Sequence, residues 1–160
     1  ASNLDLYQVN CTYYNALGAN DQAYLIARAV QICSPGIPQV YYAGLFAAEN
    51  DMALLAKTNV GRDINRPYLD EQAVSESLEK PVVKALIALI RLRNSLAALV
   101  GEFSVTQQEN ILRLNWQADQ SAAQLTVDFA SLVASVTYSE NGIEHHVDIS
   151  VDSLAQSVSA

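Results

Sequence analysis

The sequence predicts an α/β segment that is followed, after about residue 100, by a small antiparallel all-β domain. Two observations predict the first part. Apolar residues recur at helical spacing between residues 81 and 99, and a short apolar run without alternation occupies residues 37–43. After Gly101 the pattern changes to the partial two-residue alternation of strands. We therefore expect a domain boundary near residue 100.

Composition argues against two classes of function. The 160 residues carry a formal net charge of −8, so the surface repels phosphate backbones and nucleic-acid binding is not expected. No apolar run reaches the roughly 20 residues of a membrane helix, and the start at residues 1–5 does not have the pattern of a signal peptide. Cys11 and Cys33 follow no metal-binding spacing, so we expect buried, reduced thiols in a cytoplasmic protein.

The first 100 residues predict an ordered loop, four helices and one strand. A helix is expected from Asn20 or Asp21, both good N-cap residues, to Cys33, where Ser-Pro-Gly ends it. Residues 37–43 read as a strand buried on both faces of a parallel sheet. Further helices are expected over about 50–57 and 69–78, and from Pro81 to a stop at Gly101.

The remaining residues predict five short strands. Partial alternation marks residues 103–105, 111–116, 123–127, 133–138 and 146–151. Turn residues at 108–110 and 140–142 separate some of these runs. This spacing is typical of a small meander or sandwich.

Neighbouring histidines are the first candidates for a metal site. His145 and His146 are adjacent in a predicted strand, so their side chains point to opposite faces and do not easily share one ion. We therefore predict solvent-facing strand residues and no metal site.

The polar run at residues 62–66 has two interpretations. It is either a capped turn with solvated charges or a carbohydrate or anion site built from guanidinium groups. The tyrosine pairs at 13–14 and 41–42 fit a sugar-stacking wall or a partly buried core. Asp5 and Asp63 are carboxylates that nothing local marks as an acid and base pair. The residues alone leave the function open.

Three segments resemble the sucrose phosphorylases of the α-amylase superfamily. Residues 36–44, GIPQVYYAG, resemble the GIPxxYYG signature around the eighth barrel strand of the superfamily. Residues 5–14, DLYQVNCTYY, are similar to the mobile loop after the seventh strand of sucrose phosphorylases, and residues 61–66, GRDINR, to their loop after strand eight. The resemblance covers residues 1–105 and thins out beyond them.

The resemblance implies a fold and a reaction. Residues 1–100 would be the C-terminal part of a (β/α)8 TIM barrel (β7–α8 region), and residues 101–160 the small β-sheet domain that follows it. The family's reaction converts sucrose and inorganic phosphate into α-glucose 1-phosphate and fructose with retention, by double displacement. Its catalytic carboxylates lie on earlier strands. We therefore expect no catalytic residue in this chain, which would be inactive alone.

The resemblance also implies which residues bind substrate. Arg62 would hold the glucosyl unit, and the acceptor subsite would be lined by Asp5, Leu6, Tyr7 and Gln8. Relatives that act on sucrose 6′-phosphate tend to carry a residue such as His at the position of Tyr7, so Tyr7 favours unphosphorylated sucrose. Pro67 departs from the family, in which His is expected after Arg66. No metal, organic cofactor, nucleic acid or membrane is implied, and a homodimer of the full-length protein stays open.

Other functions remain in competition. A sister phosphorylase would act on sucrose 6′-phosphate, glucosylglycerol or glucosylglycerate, and a hydrolase would replace phosphate by water. A non-catalytic carbohydrate-binding module would be soluble and fold cooperatively by itself. A divided barrel would instead expose a strand edge and apolar helix faces, and would aggregate or remain partly molten.

Overall fold

The computed structural model describes residues 9–157, in which helices precede a five-stranded antiparallel sheet. The helices are α1 Tyr13–Ala16, α2 Asp21–Cys33, α3 Tyr42–Leu45, α4 Met52–Thr58, α5 Glu71–Glu79, α6 Pro81–Ser95 and α7 Val151–Ser157. The strands are β1 Glu102–Gln108, β2 Ile111–Ala118, β3 Ser121–Asp128, β4 Val133–Glu140 and β5 Ile143–Asp148. Short 3-10 helices occupy Gly61–Asn65 and Ala97–Val100. The predicted order of helices and then an antiparallel sheet is confirmed.

Helix starts follow the capping residues that the sequence offers. The side chains of Asn20, Asp51 and Asp70 each accept a hydrogen bond of 2.8 Å from the backbone N–H three residues later. Such bonds satisfy N–H groups that have no partner within the helix. Pro81 opens α6 at a position where its missing N–H is not needed.

The predicted strand at residues 37–43 is wrong for this chain. Residues 37–41 have no regular secondary structure, and the residues after Tyr41 form helix α3. The side chain of Ile37 is 98% exposed, where burial was expected. Within residues 9–157 no backbone hydrogen bond joins residues 37–40 to another segment. A strand requires such bonds to a neighbour, so the apolar run stays unpaired.

The sheet is a meander with the strand order β1-β2-β3-β4-β5. One face is apolar and buried, with Leu114, Trp116, Leu125, Val127 and Val136 at most 8% exposed. Residues of the other face are mostly polar. The buried face packs against α2 and against the 3-10 helix after α6. An antiparallel sheet that is covered on one side gives the alternation seen in the sequence.

The last element was not predicted. Residues 146–151 were expected to form a strand, but β5 ends at Asp148 and helix α7 begins at Val151. Helix α7 packs against α6, and Leu154 on its buried face is 4% exposed. The chain thus returns from the sheet to the helical part.

Helix α2 is joined to the sheet by the side chains of Trp116, which lies in β2, and Gln22, which lies in α2. The Trp116 indole donates a hydrogen bond of 2.8 Å to the carbonyl oxygen of Cys33 at the end of α2. At the start of α2, Gln22 Nε2 donates to the carbonyl oxygens of Leu132 and Ile149 at 3.1 and 2.9 Å. One hydrophobic cluster contains residues of both the helices and the sheet.

Candidate functional site

A pocket of about 190 Å³ lies where the three sequence motifs meet. We call residues 5–14, 36–44 and 61–66 the first, second and third motif. The lining residues are Cys11, Thr12 and Tyr13 of the first motif, Gln39, Tyr41, Ala43 and Gly44 of the second, Asn65 of the third, and Arg28 of helix α2. The fold therefore brings segments that are distant in sequence to one place, and we take this pocket as the candidate site.

Arg28 forms the charged wall of this pocket. It follows Tyr24 by one helical turn on α2, so the two side chains meet on the same face. Arg28 is 5% exposed, and its Nε and Nη2 donate to Tyr24 Oη at 2.9 and 2.8 Å. Its Nη1 donates to Gln31 Oε1 at 2.6 Å. The guanidinium also lies 4.5 Å from the ring centre of Tyr13, a cation–π contact.

Gly44 is required by the position of Arg28. A Cβ atom at Gly44 would lie 2.1 Å from Arg28 Nη2, the end of a flexible side chain, so the guanidinium would have to move. The carbonyl oxygen of Gly44 also accepts a hydrogen bond from Tyr24 Oη. Burial raises the pKa of Tyr24, and the Arg28 guanidinium acts in the opposite direction. The last glycine of the second motif thus has a packing explanation in this chain.

Asn50 connects the first motif to the third. Its Oδ1 accepts from the Thr12 N–H at 2.7 Å, and its own N–H donates to Asn15 Oδ1 at 2.6 Å. The next residue, Asp51, donates its N–H to the carbonyl oxygen of Ile64 at 2.8 Å. These short, charge-free hydrogen bonds hold the two motifs at fixed positions around the pocket.

The tyrosine pairs divide between the pocket wall and the core. Tyr13 and Tyr41 line the pocket and are 40% and 53% exposed. Tyr14 is half-buried, and its ring meets Tyr24 edge-on with ring centres 5.3 Å apart. Its hydroxyl donates to Asp21 Oδ1 at 2.6 Å, and burial together with this bond raises the pKa of Tyr14 to about 12. One member of each pair is thus available to a ligand, and Tyr14 supports the core.

Tyr42 fixes the residue that departs from the family pattern. Its hydroxyl donates to the carbonyl oxygen of Pro67 at 2.8 Å, and Pro67 is buried. Burial raises the pKa of Tyr42, the neighbouring Tyr41 acts in the same direction, and Arg66 opposes them. The contact uses a backbone carbonyl, so it does not depend on which side chain stands at position 67.

The third motif forms a 3-10 helix that exposes Arg62 to solvent. Within residues 9–157, the side chain of Arg62 makes no hydrogen bond or ion pair with another residue. Asn65, on the same turn, has a buried Oδ1 atom without a hydrogen-bond partner in that part of the chain. The predicted residues Asp5, Leu6, Tyr7 and Gln8 lie outside the described residues.

Sequence reasoning missed Arg28 and Tyr24. A signal was available, because Arg28 stands between Ala27 and Ala29 in a helix whose neighbouring residues are apolar. Arginine is almost never fully buried unless its charge is satisfied. Position on the helix therefore marked Arg28 as unusual, and helical spacing places Tyr24 and Gln31 beside it. Tyr13 and Gly44 come from other segments, whose approach cannot be read from spacing.

The histidine pair takes no part in this pocket. His145 stacks on Tyr138 with ring centres 4.8 Å apart, whereas His146 Nε2 lies 3.1 Å from Asp148 Oδ1. The two side chains therefore occupy opposite faces of β5, as the alternation predicts. In the described part of the chain, no group of three or more metal-binding side chains occurs. No helix there is long and apolar enough to cross a membrane.

A larger groove of about 490 Å³ lies at the sheet, away from the motifs. Its side chains include Ser104, Asn115 and Gln124, which bond to one another or to the neighbouring backbone, and Thr137, whose Oγ1 lies 3.3 Å from His146 Nδ1. Because none of its lining residues belongs to a motif, we place the candidate site in the smaller pocket.

Comparisons with known proteins agree with the motifs. No family model matches the chain. It is 55% identical over 140 residues to a sucrose phosphorylase of Agrobacterium vitis, with 87% of this chain and 29% of the relative covered. It is 50% identical over 157 residues to a sucrose phosphorylase of Bifidobacterium adolescentis, with 92% and 31% covered.

A solved structure gives the same result for the fold. The crystal structure of sucrose 6F-phosphate phosphorylase from Thermoanaerobacter thermosaccharolyticum matches with a TM-score of 0.84 and 43% identity. The match covers 88% of this chain and 29% of that one. The chain thus spans about three tenths of the length of the relatives it matches. In sequence and fold, the chain is similar to the C-terminal portion of sucrose phosphorylases.

Proposed function

We propose that the chain is the C-terminal portion of a retaining glucosyltransferase that phosphorolyses sucrose to α-glucose 1-phosphate and fructose. The observation that carries the proposal is the convergence of three distant motifs, all similar to sucrose phosphorylases, on one pocket. Residues 1–100 would belong to the catalytic (β/α)8 barrel and residues 101–160 to the C-terminal β domain. The protein would be cytoplasmic and, in full length, could assemble as a homodimer.

In this proposal the chain binds substrate and the rest of the protein performs the chemistry. A carboxylate supplied by the missing part attacks the anomeric carbon, the glycosidic bond breaks, and a second carboxyl group gives its proton to the fructose oxygen. An oxygen of inorganic phosphate then forms the new bond to the anomeric carbon and releases the carboxylate. Phosphate is already ionised, so this step needs little help from a general base.

Arg62 would bind the glucosyl unit, and Asp5, Leu6, Tyr7 and Gln8 would line the acceptor subsite. The exposed guanidinium of Arg62, without a partner within residues 9–157, supports its part of the assignment. A guanidinium presents several donors in a fixed plane and suits the hydroxyl groups of a sugar or a paired carboxylate. No metal or organic cofactor is needed, because the carboxylates and phosphate supply every group of the reaction.

A sister specificity is the second candidate. The solved structure that resembles the chain at 43% identity is a sucrose 6F-phosphate phosphorylase. Tyr7 and the higher identities of 55% and 50% to sucrose phosphorylases favour unphosphorylated sucrose.

The test measures α-glucose 1-phosphate released by the complete protein that contains this chain. Sucrose and sucrose 6′-phosphate are compared, each with inorganic phosphate. Arg62→Ala should lower kcat/KM for sucrose about 10- to 100-fold, the range expected when hydrogen bonds to a charged group are lost. Arg91→Ala, at an exposed position of α6, is the matched control. Turnover with the phosphorylated sugar alone would assign the protein to the sister specificity.

A further inference from the structure

We propose that Arg28 is a positioning residue that holds the first and second motifs together. Through them it would set how the glucosyl intermediate divides between phosphate and water. The inference rests on the proposed function, because it concerns the acceptor step of that reaction. Arg28 would not touch the reacting atoms, and it would act through Tyr13, Gln31 and Gly44.

The environment of Arg28 is unusual for a charged group. The side chain is 5% exposed, and within residues 9–157 no carboxylate pairs with it. Removing a cation from water is costly unless hydrogen bonds and nearby dipoles compensate. Here the compensation comes from the Tyr24 hydroxyl, the Gln31 amide and the faces of aromatic rings. A neutral apolar side chain would fill this space at lower cost, so stability alone does not explain the arginine.

The contacts of Arg28 reach two of the motifs. The guanidinium lies over Tyr13 of the first motif at 4.5 Å. In the second motif it packs against Gly44, whose carbonyl is bonded to the same Tyr24 hydroxyl. Gln31, which accepts from Arg28, donates to the carbonyl oxygen of Gln39 at 3.0 Å. One planar cation therefore determines the separation of two segments that share no regular secondary structure.

The same contacts connect Arg28 to the acceptor. Tyr13 lines the candidate pocket and follows the proposed acceptor residues by five to eight positions in the sequence, so a shift of Tyr13 would be passed to them along the backbone. Phosphate must be bound and oriented before it attacks, whereas water is small and abundant. A misplaced acceptor site should therefore slow phosphorolysis more than hydrolysis, since loss of orientation by about 1 Å can reduce a rate about 100-fold.

The readout is the ratio of α-glucose 1-phosphate to free glucose formed from sucrose at one fixed phosphate concentration. This ratio does not depend on the amount of folded enzyme, so general destabilisation does not move it. In the complete protein, Arg28→Lys should lower the ratio about tenfold, because an ammonium keeps the charge but loses the planar fork. The matched control, Arg91→Lys on the exposed side of α6, should keep the wild-type ratio.

Gly44→Ala tests the same contact while Arg28 is kept. The added Cβ would displace the guanidinium, so this variant should lower the ratio in the same direction. If Arg28→Lys does not fold, the product ratio of Gly44→Ala alone tests the inference. A wild-type ratio in any folded Arg28→Lys protein, or in Gly44→Ala when it alone folds, would overturn the inference. Absence of α-glucose 1-phosphate with the wild-type protein would instead reject the proposed function.

Discussion

Gln22 joins helix α2 to the end of the sheet, and its replacement by methionine tests how strongly the two parts depend on each other. The side chain makes three hydrogen bonds: its Nε2 donates to the carbonyls of Leu132 and Ile149, and its Oε1 accepts from the N–H of Val151 at 3.2 Å. Leu132 has a φ of 55°, a left-handed conformation that costs roughly 1–2 kcal/mol for a residue with a Cβ. Gln22 helps to hold it there.

The expected loss follows from these contacts. Each hydrogen bond contributes about 0.5–1.5 kcal/mol, and water can partly replace the lost partners because the site is half-buried. We therefore expect Gln22→Met to lower the free energy of unfolding by about 2 kcal/mol. With a typical urea slope of about 2 kcal/mol per M, the midpoint of unfolding should fall by about 1 M.

The assay is urea unfolding of the monomeric fraction of the 160-residue chain at micromolar concentration, followed by the fluorescence of Trp116, its single tryptophan. Gln72→Met is the matched control, because the Gln72 side chain is exposed on α5 and bonds only to Glu76 among residues 9–157. Its free energy of unfolding should change by less than about 0.5 kcal/mol. Equal midpoints for the two variants would refute the reasoning that Gln22 links the helices to the sheet.

Two further predictions concern a buried thiol and an exposed apolar side chain. Burial raises the pKa of Cys33 from its ordinary 9.0 to about 11, so a thiol reagent at pH 8 should label Cys11 in the folded chain and Cys33 only after unfolding. Because the pKa of Cys33 is higher in the folded chain, the stability that Cys33 contributes is complete below pH 9 and is lost as the pH rises through 11. The urea midpoint of the wild-type chain should therefore fall between these pH values, and Cys33→Ala should reduce this fall. Labelling of Cys33 in the folded Cys11→Ser variant would contradict the assignment. Ile37→Asp should reduce self-association of the chain in light scattering without lowering its urea midpoint, since Ile37 is 98% exposed beside an apolar groove. A similar reduction by Val100→Asp would show that the added negative charge, and not the loss of Ile37, prevents self-association.

Features that depend on neighbouring residues were predictable from the sequence. The starts of α2 and α6 follow from Asn20 and Pro81, because a cap or a proline acts within one turn. The strands of the meander follow from alternation, and Asn141-Gly142 forms a turn with positive φ at both residues, as this dipeptide favours.

Features that depend on residues distant in the sequence were not predictable from it. Residues 37–43 have the composition of a buried strand, but pairing requires a second strand that composition cannot supply. Helix α7 is short and has little pattern of its own, and its apolar side is explained by α6. The three motifs were predicted from the sequence, and they locate the pocket. The role of Arg28 was not predicted, because it depends on the fold that brings Tyr13 and Gly44 to this side chain.

The attachment of helix α2 at both ends limits how this family can be recombined. Position 22 bonds to the turn before β4 and to the residues after β5, and the carbonyl at position 33 bonds to Trp116 of β2. A chimaera that joins two relatives near residue 100 would inherit its helix from one parent and the groups that hold it from the other. The partners of Gln22 and Trp116 are backbone groups, so an exchanged β-sheet should keep both attachments wherever the parents share these two side chains, and α2 need not be transferred with it.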